Sequence, residues 1–268
     1  MSDKLLQKDM IHYVKKINYI LDNIKKFQKE MGKKNLKVLD VGCGVGNISL
    51  QIANIGCDVT GIDVDKSSVD YANKRNKMKN CRFKVYNAHK MNMNEKFDII
   101  ICSEVLEHLK YPENLIEFIS KSLKKTGFLF LSVPNGYGPA ELSVMPRRII
   151  GKILKRIKLY EICRNIRHAI VRDPVKKAQK SFGLDTLNQY GEGAMHEQFF
   201  TLGELRKLFD KYNLEIIRRQ KSFVLVGTFP FYYLYSRFRT LQSIDCRIAD
   251  VLPAFTVSGW SFIIKFKN

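Results

Sequence analysis

The sequence predicts an α/β fold: a doubly wound, mainly parallel sheet of seven strands flanked by helices, with a basic helical segment inserted late in the chain. Three observations predict it. Short apolar runs alternate with helical patterns from residue 36 onward, which places parallel strands between covering helices. The first run ends in an acid followed by three closely spaced glycines, a strand-to-helix turn of the ligand-binding type. At 268 residues the chain can bury a full core, and no Gly/Ser-rich linker or repeat divides it.

Each element has its own signal. Ser2 to Met31 carries Leu6, Met10, Val14, Ile17, Leu21 and Ile24 at spacings of three and four, an amphipathic helix that packs against the sheet edge or covers a bound ligand. Lys15, Lys16, Lys25 and Lys26 interrupt its apolar runs, which argues against an export signal. VLDVGCGVGNISL (Val38 to Leu50) is strand, turn and helix start, and the helix closes at Gly56. CDVTGI is a second buried strand ended by Asp63, and Asp65 caps the helix KSSVDYANKRNK. CRFKVY (Cys81 to Tyr86), FDIIIC (Phe97 to Cys102) and GFLFLSV (Gly127 to Val133) are apolar enough to be covered on both faces. Helical PENLIEFISKSL separates the last two. Thr201 and Glu204 form a capping box before LGELRKLFDKY, followed by strands LEIIR and WSFIIKF.

The first turn selects its ligand electrostatically. Gly42, Gly44 and Gly46 let the backbone turn tightly and approach a ligand with no Cβ in the way. Their GxGxG spacing departs from the dinucleotide pattern GxGxxG. Asp40 would repel a phosphate there but suits a cationic ligand, and S-adenosylmethionine carries an ammonium and a sulfonium. About 20 residues beyond the glycines, Asp63 stands where an acid binds ribose hydroxyls.

On these residues the chain resembles the class I S-adenosylmethionine-dependent methyltransferases, over Leu36 to Val133 and again over Met195 to Arg218. The resemblance implies a Rossmann-like sheet whose last strand runs antiparallel. It implies that Asp40, Gly42, Gly44 and Gly46 hold the methionine moiety and that Asp63 binds the ribose, with Val64 and Ser103 counted in the same cofactor set. Near the adenine the family usually has an Asp, whereas YNAHKM offers Asn87 and Ala88; the Asn carbonyl can accept the same hydrogen bond.

After strand four the chain reads SEVLEHLKYPE. Glu104 and Glu107 are three apart, so on a helical turn they share a face; His108 follows, and MHEQFFTLGEL later supplies His196. This pattern resembles the ubiquinone-biosynthesis O-methyltransferases and the enzymes that 2′-O-methylate small-RNA 3′ ends, in which the equivalent groups are associated with a divalent metal. The resemblance makes Glu104, Glu107, His108 and His196 candidate ligands, a mixed oxygen and nitrogen set compatible with magnesium, manganese, iron or zinc. EVLEH also occurs in relatives with no known metal role. The other readings are metal-free acid/base chemistry by His108 or His196 with Glu107, or a structural role for Glu107 in ordering the loop.

The formal charge is +20, part of it a general bias toward Lys, Asn and Ile. Between Arg147 and Lys180, however, basic residues including several arginines face only Glu161 and Asp173. There PRRIIGKILKRIKLY sets Ile150, Ile153, Leu154 and Ile157 opposite Arg148, Lys152, Lys155 and Arg156, which suits a membrane interface, RNA phosphates or a plain lid. FVLVGTFPFYYLYSRFR (Phe223 to Arg239) is too short to span a bilayer and fits either the headgroup boundary or the core. Cys43, Cys57, Cys81, Cys102, Cys163 and Cys246 form no CxxC pair, and reduced thiols in a cytoplasmic protein are expected.

The expected organisation is a single methyltransferase domain with four parts. These are an N-terminal helical segment (1–35), a cofactor-binding core (36–135), a basic substrate-side insertion (136–195) and a C-terminal helix with strands (196–268). The expected function is O-methylation of a lipid-linked or polyprenyl-tailed small molecule, or of a glycan precursor, with anionic membrane contact through 147–180 and 223–239. The alternatives are methylation of RNA hydroxyls and a non-catalytic binding module; Asp40, the three glycines and Asp63, all intact, argue against the last.

Overall fold

A computed structural model of the chain describes residues 11–87, 95–143, 196–225 and 238–267. Its elements are α1 (Ile11–Glu30), β1 (Lys37–Val41), α2 (Asn47–Asn54), β2 (Asp58–Asp63), α3 (Lys66–Arg75), β3 (Cys81–Val85), β4 (Phe97–Ser103), α4 (Pro112–Ser122), β5 (Leu123–Pro134), α5 (Leu202–Asp210), β6 (Leu214–Lys221), α6 (Arg239–Val251) and β7 (Gly259–Phe266). Short 3₁₀ turns occupy Leu106–His108 and Ala254–Thr256. The strands form one seven-stranded sheet in the order β3-β2-β1-β4-β5-β7-β6. β1 to β5 pair in parallel, and β7 runs antiparallel between β5 and β6. This is the expected fold class, with the antiparallel last strand. Strand order reverses between β1 and β4, which opens a crevice at the carboxyl ends of these two strands.

Burial on both faces explains the unbroken apolar runs. In β4, Ile99 and Ile101 join one core with Ile20, Ile24 and Phe27 of α1 and Ile52 of α2. Ile100 and Cys102 point the other way, into a core with Leu115 and Ile119 of α4 and Leu205 and Phe209 of α5. A strand with water on one face would alternate; this one cannot. Truncating Ile100 or Ile101 to alanine would cost about 2–5 kcal/mol, since both are fully buried. On the first face the Phe27 ring stacks on Phe128 at 3.8 Å and so fastens α1 to β5.

Several boundaries differ from the expected ones for local reasons. α1 buries Ile17, Ile20, Ile24 and Phe27, so its inward stripe uses Ile20 where the spacing suggested Leu21. The predicted anchors Leu6 and Met10 lie outside the described residues. α4 stops at Ser122 because Leu123 turns extended and pairs with Phe97, which starts β5 four residues before the expected Gly127. Asp65 caps α3 as expected, accepting from the Ser67 and Ser68 amides.

α6 was not anticipated. It buries Gln242, Asp245, Cys246 and Ala249, while Ile244, Ile248 and Val251 are exposed, so its polarity is inverted relative to a surface helix. The buried polar groups are satisfied: Gln242 Oε1 accepts from the Ile11 amide at 2.9 Å, and the Asp245 carboxylate accepts from the Val224 and Leu225 amides at 3.0 Å. These bonds tie α6 to the start of α1 and to the chain leaving β6. Among the described residues Cys43, Cys57, Cys81, Cys102 and Cys246 are free and buried, and no helix is long and apolar enough to cross a membrane.

Candidate functional site

The site gathers where β1 and β4 end. Gly42, Gly44 and Gly46 all hold positive φ, at 70°, 49° and 78°. Two of them are there for packing: a Cβ on Gly42 would lie 2.4 Å from Val105 Cγ2, and one on Gly46 would lie 2.6 Å from Phe83 Cζ. A Cβ on Gly44 would meet nothing within 4 Å. The open side of the loop is therefore at Gly44, the position at which a ligand can approach the backbone.

Asp40 is buried beneath this loop, and Ser49 Oγ donates to its Oδ2 at 2.5 Å. Burial pushes its pKa up to about 7, with the Asp63 charge adding to the rise and the Ser49 hydrogen bond opposing it. A cation seated on the loop would restore the ionised form. Asp63 ties the loop to β2, since its Oδ2 accepts from the Gly44 amide at 2.8 Å and its Oδ1 from the Asp65 amide at 2.9 Å. Each carboxylate oxygen keeps a second lone pair for a further donor such as a hydroxyl. Val64, next in the chain, is 62% exposed beside it. Asn87 follows β3 directly, and Ala88 lies outside the described residues.

The first turns of α1 complete this side, and the sequence offered no sign of which residues would do so. Tyr13 hydrogen-bonds the Asn47 side chain; burial, with the Asp40 charge nearby, raises its pKa to about 12. His12 packs 4.8 Å from the Phe223 ring, and burial together with Lys16 lowers its pKa to about 4, so it stays neutral. Lys16 Nζ reaches Glu104 Oε1 at 3.3 Å. One helix thus spans from the glycine loop to the segment after β4.

That segment begins with a strained residue. Glu104 has φ +56°, unusual for a non-glycine, and the turn carries its side chain into the crevice. Protein surrounds it on most sides, yet 45% of the side chain stays open, because the opening is a cleft. Burial opposes its ionisation, but Lys16 and the Ser132 hydroxyl at 2.8 Å outweigh burial and hold its pKa below the ordinary carboxylate value. Ser103 Oγ lies 2.9 Å from the same Ser132 hydroxyl.

Glu107 behaves oppositely. It is 1% exposed, its Oε2 has no hydrogen-bond partner, and burial reinforced by the Glu104 charge raises its pKa well above the usual range. His108 Nε2 is 3.7 Å from Glu107 Oε1, and the His108 and His196 rings meet edge-on at 5.1 Å. The Glu107 carbonyl accepts from the Glu197 and Gln198 amides at 2.8 and 3.0 Å, which pins the distant segment and brings His196 here. Gly136 permits that approach, since a Cβ on it would lie 2.6 Å from the Phe199 backbone.

Glu107, His108 and His196 present ligand atoms within 4.8 Å of one another. Glu104 is not in this group; Lys16 and Ser132 engage it instead. The sequence also missed Glu141, a buried carboxylate in the helical residues 139–143 whose Oε1 is 2.9 Å from His196 Nδ1. The pair is close enough for an ion pair but not aligned as a hydrogen bond, since the Nδ1 atom has no hydrogen-bond partner. No spacing rule links 141 to 196, so only the fold could show the contact. The basic stretch 147–180 and residues 226–237 of the aromatic run lie outside the described residues.

A family model described as a methyltransferase domain matches residues 10–219. The chain is 36% identical over 127 residues to a ubiquinone biosynthesis O-methyltransferase of Pelagibacter ubique, covering 45% of this chain and 52% of that one. It is 28% identical over 166 residues to a protein of the same name from Rickettsia bellii, covering 56% and 68%. The chain thus spans about half the length of the Pelagibacter relative. Among solved structures, PKMT2 from Rickettsia typhi superposes with a TM-score of 0.56 at 17% identity, over 88% of this chain and 49% of that one. Magnesium protoporphyrin IX methyltransferase from Synechocystis PCC 6803, with bound SAH, gives 0.51 at 16%, over 96% and 86%.

Proposed function

We propose that this chain, which belongs to the methyltransferase-domain family and is a class I S-adenosylmethionine-dependent methyltransferase, methylates a hydroxyl of a lipid-linked or polyprenyl-tailed small molecule, or of a glycan precursor, at the cytoplasmic face of a membrane. The observation that carries the oxygen acceptor is the group of Glu107, His108 and His196 at the crevice that holds the glycine loop. A hydroxyl has a high pKa and needs its proton taken as it attacks, a task that an imidazole at this position can perform. The name shared by the Pelagibacter and Rickettsia relatives supports a polyprenyl-tailed acceptor.

The reaction is a direct displacement. The acceptor oxygen forms a bond to the methyl carbon as the carbon–sulfur bond breaks, S-adenosylhomocysteine leaves, and the hydroxyl proton passes to an imidazole of His108 or His196. Glu107 Oε1 lies 3.7 Å from His108 Nε2, and burial favours the protonated form of this acid beside the ring. Asp40 neutralises the ammonium at the amino-acid end of the cofactor, and Asp63 takes the ribose hydroxyls with its remaining lone pairs. Asp40 is kept away from the sulfur, whose positive charge is lost in the transition state. Alignment supplies much of the rate, since effective molarities can reach about 10⁵ M or more.

The same group fits a divalent cation. Glu107 Oε2 is buried without a hydrogen-bond partner, and one carboxylate oxygen with two imidazole nitrogens suits iron or zinc better than magnesium. Glu107, His108 and His196 would hold it. When bound it would lower the pKa of the acceptor hydroxyl.

The test is incubation of the protein with methyl-labelled S-adenosylmethionine and fractionated cell extract. Label is expected in the lipid fraction or in a glycan precursor. Label in RNA alone would overturn the acceptor class and favour the RNA 2′-O-methyltransferase reading.

A further inference from the structure

We propose that α6 and Phe255 form the surface on which this enzyme lies against an anionic bilayer. The proposal rests on the lipid-linked acceptor above and adds the docking surface to it.

Three observations converge on this helix. Its apolar side faces outward: Ile244, Ile248 and Val251, spaced by four and three, are exposed, and Phe255 extends the stripe in the following turn. Val251 is 82% exposed and Phe255 72%. The inward side is made of Gln242, Asp245, Cys246 and Ala249, held by hydrogen bonds to α1 and to the chain after β6, so the helix is not merely turned the wrong way for want of a better fit. A 13-residue helix presents about 20 Å of such a face, and a helix with an apolar stripe and cationic flank lies in the interface plane without crossing the bilayer.

Charge selects the occupant. Arg247 is exposed on α6 and has no ion-pair partner among the described residues. Asp250, the exposed acid on the helix, is held by Lys15 at 2.7 Å. Two copies pairing through this stripe would bring their arginines together, on chains that each carry +20. An anionic lipid surface meets the same arginines with opposite sign.

Position links the surface to the chemistry. Lys221 Nζ, at the end of β6, donates to the Leu252 carbonyl at 2.5 Å, and Asn135 Nδ2, just after β5, donates to the Phe255 carbonyl at 2.9 Å. α6 and Phe255 therefore sit at the same end of the sheet as Asp40, Glu104 and Glu107. Exposed Tyr137 and Leu142 lie on the segment after Asn135 that also carries Glu141. A bilayer against this end would deliver a lipid-tailed acceptor to the crevice without its tail crossing water.

The experiment is flotation of the full chain with phosphatidylcholine vesicles, with and without phosphatidylglycerol, for the unaltered protein, for Val251→Glu with Phe255→Glu, and for Arg247→Glu. The unaltered protein should float with the phosphatidylglycerol vesicles, and the doubly altered one should bind them at least about tenfold more weakly, with melting temperature and adenosylhomocysteine affinity unchanged. Arg247→Glu should weaken binding only where anionic lipid is present. A separate probe is Val251→Trp, whose emission should shift to the blue on adding those vesicles; the native Trp260 is buried and gives a constant background. Flotation that survives the Val251 and Phe255 changes, or unmoved Val251→Trp emission, overturns the proposal. So does loss of a dimer in sedimentation with flotation unaltered, which would mark the stripe as a contact between copies. If extract labelling instead goes to RNA while flotation still depends on α6, the acceptor reading fails and the surface stands.

Discussion

Replacing Asp40 by Asn tests the electrostatics of the cofactor loop with two opposite readouts. The amide keeps the shape and can still accept from Ser49 Oγ, but cannot ionise. In the free protein burial moves the Asp40 pKa from 3.8 to about 7, so the folded state holds its proton across a range in which the unfolded chain has already lost it. At about 1.4 kcal/mol for each tenfold, the ionised acid costs the folded state roughly 4 kcal/mol above pH 7, and about 2.5 kcal/mol of that accrues between pH 5 and 8. The sign follows from the raised value: native stability from this group is intact below pH 4 and is lost as pH rises to 7. Urea unfolding should therefore show Asp40→Asn gaining on the unaltered protein by about 2.5 kcal/mol from pH 5 to pH 8.

Binding must move the other way. Adenosylhomocysteine keeps the ammonium, so its affinity should be about 20-fold weaker at pH 5.5 than at 7.5 for the unaltered protein, because the ligand has to displace a proton. For Asp40→Asn calorimetry should find weak binding with little dependence on pH over this range. A stability difference that is flat with pH, or unchanged affinity in the variant, would refute the reasoning.

The remaining predictions concern the rest of the site. Gly44→Ala should lower stability by only about 1–2 kcal/mol, the cost of its positive φ, yet weaken adenosylhomocysteine binding at least tenfold; Gly46→Ala, driven into Phe83, should lose clearly more stability in the same melts. Glu107→Gln should leave the protein as stable or more so, since the raised pKa means the ionised acid is unfavourable there, while kcat falls about 10²-fold or more; full activity would remove Glu107 from the chemistry. Glu141→Gln should cost about 10–100-fold in kcat with cofactor affinity unchanged, because it frees the His196 ring from its buried partner; unchanged kcat would make Glu141 a packing residue. Chelator should lower activity and added cation restore it, whereas indifference to chelation would leave His108 and His196 as acid/base groups.

The fold was legible because its signals are local or periodic. β4 had to be covered on both faces to account for Ile99, Ile100 and Ile101 in succession, and the Thr201–Glu204 capping box opens α5 as its residue types require. The glycine loop was legible for the same reason. Gly42, Gly44 and Gly46 do adopt the left-handed backbone that disfavours other residues, and Asp63 does reach the loop. α6 escaped notice because pattern reasoning assumes that the apolar side of a helix turns inward. Here Gln242 and Asp245 are inward, satisfied by backbone groups far away in sequence, and nothing in residues 239–251 announces those partners.

The candidate site shows the same limit more sharply. EVLEH placed Glu104, Glu107 and His108 within one turn, and spacing alone treated the two acids alike. The fold separates them: the left-handed turn at Glu104 sends one carboxylate to Lys16 and Ser132, which favour its ionised form, and leaves Glu107 in a dry pocket, where burial favours the protonated form. Lys16 comes from a helix 88 residues away in sequence and His196 from a segment 88 residues beyond His108, so neither contact has a local signature. The division of labour between two neighbouring acids is therefore a product of tertiary packing. Removing Lys16 should narrow the difference between them, because Glu104 would lose its main cationic support and, once less ionised, would oppose the ionisation of Glu107 less.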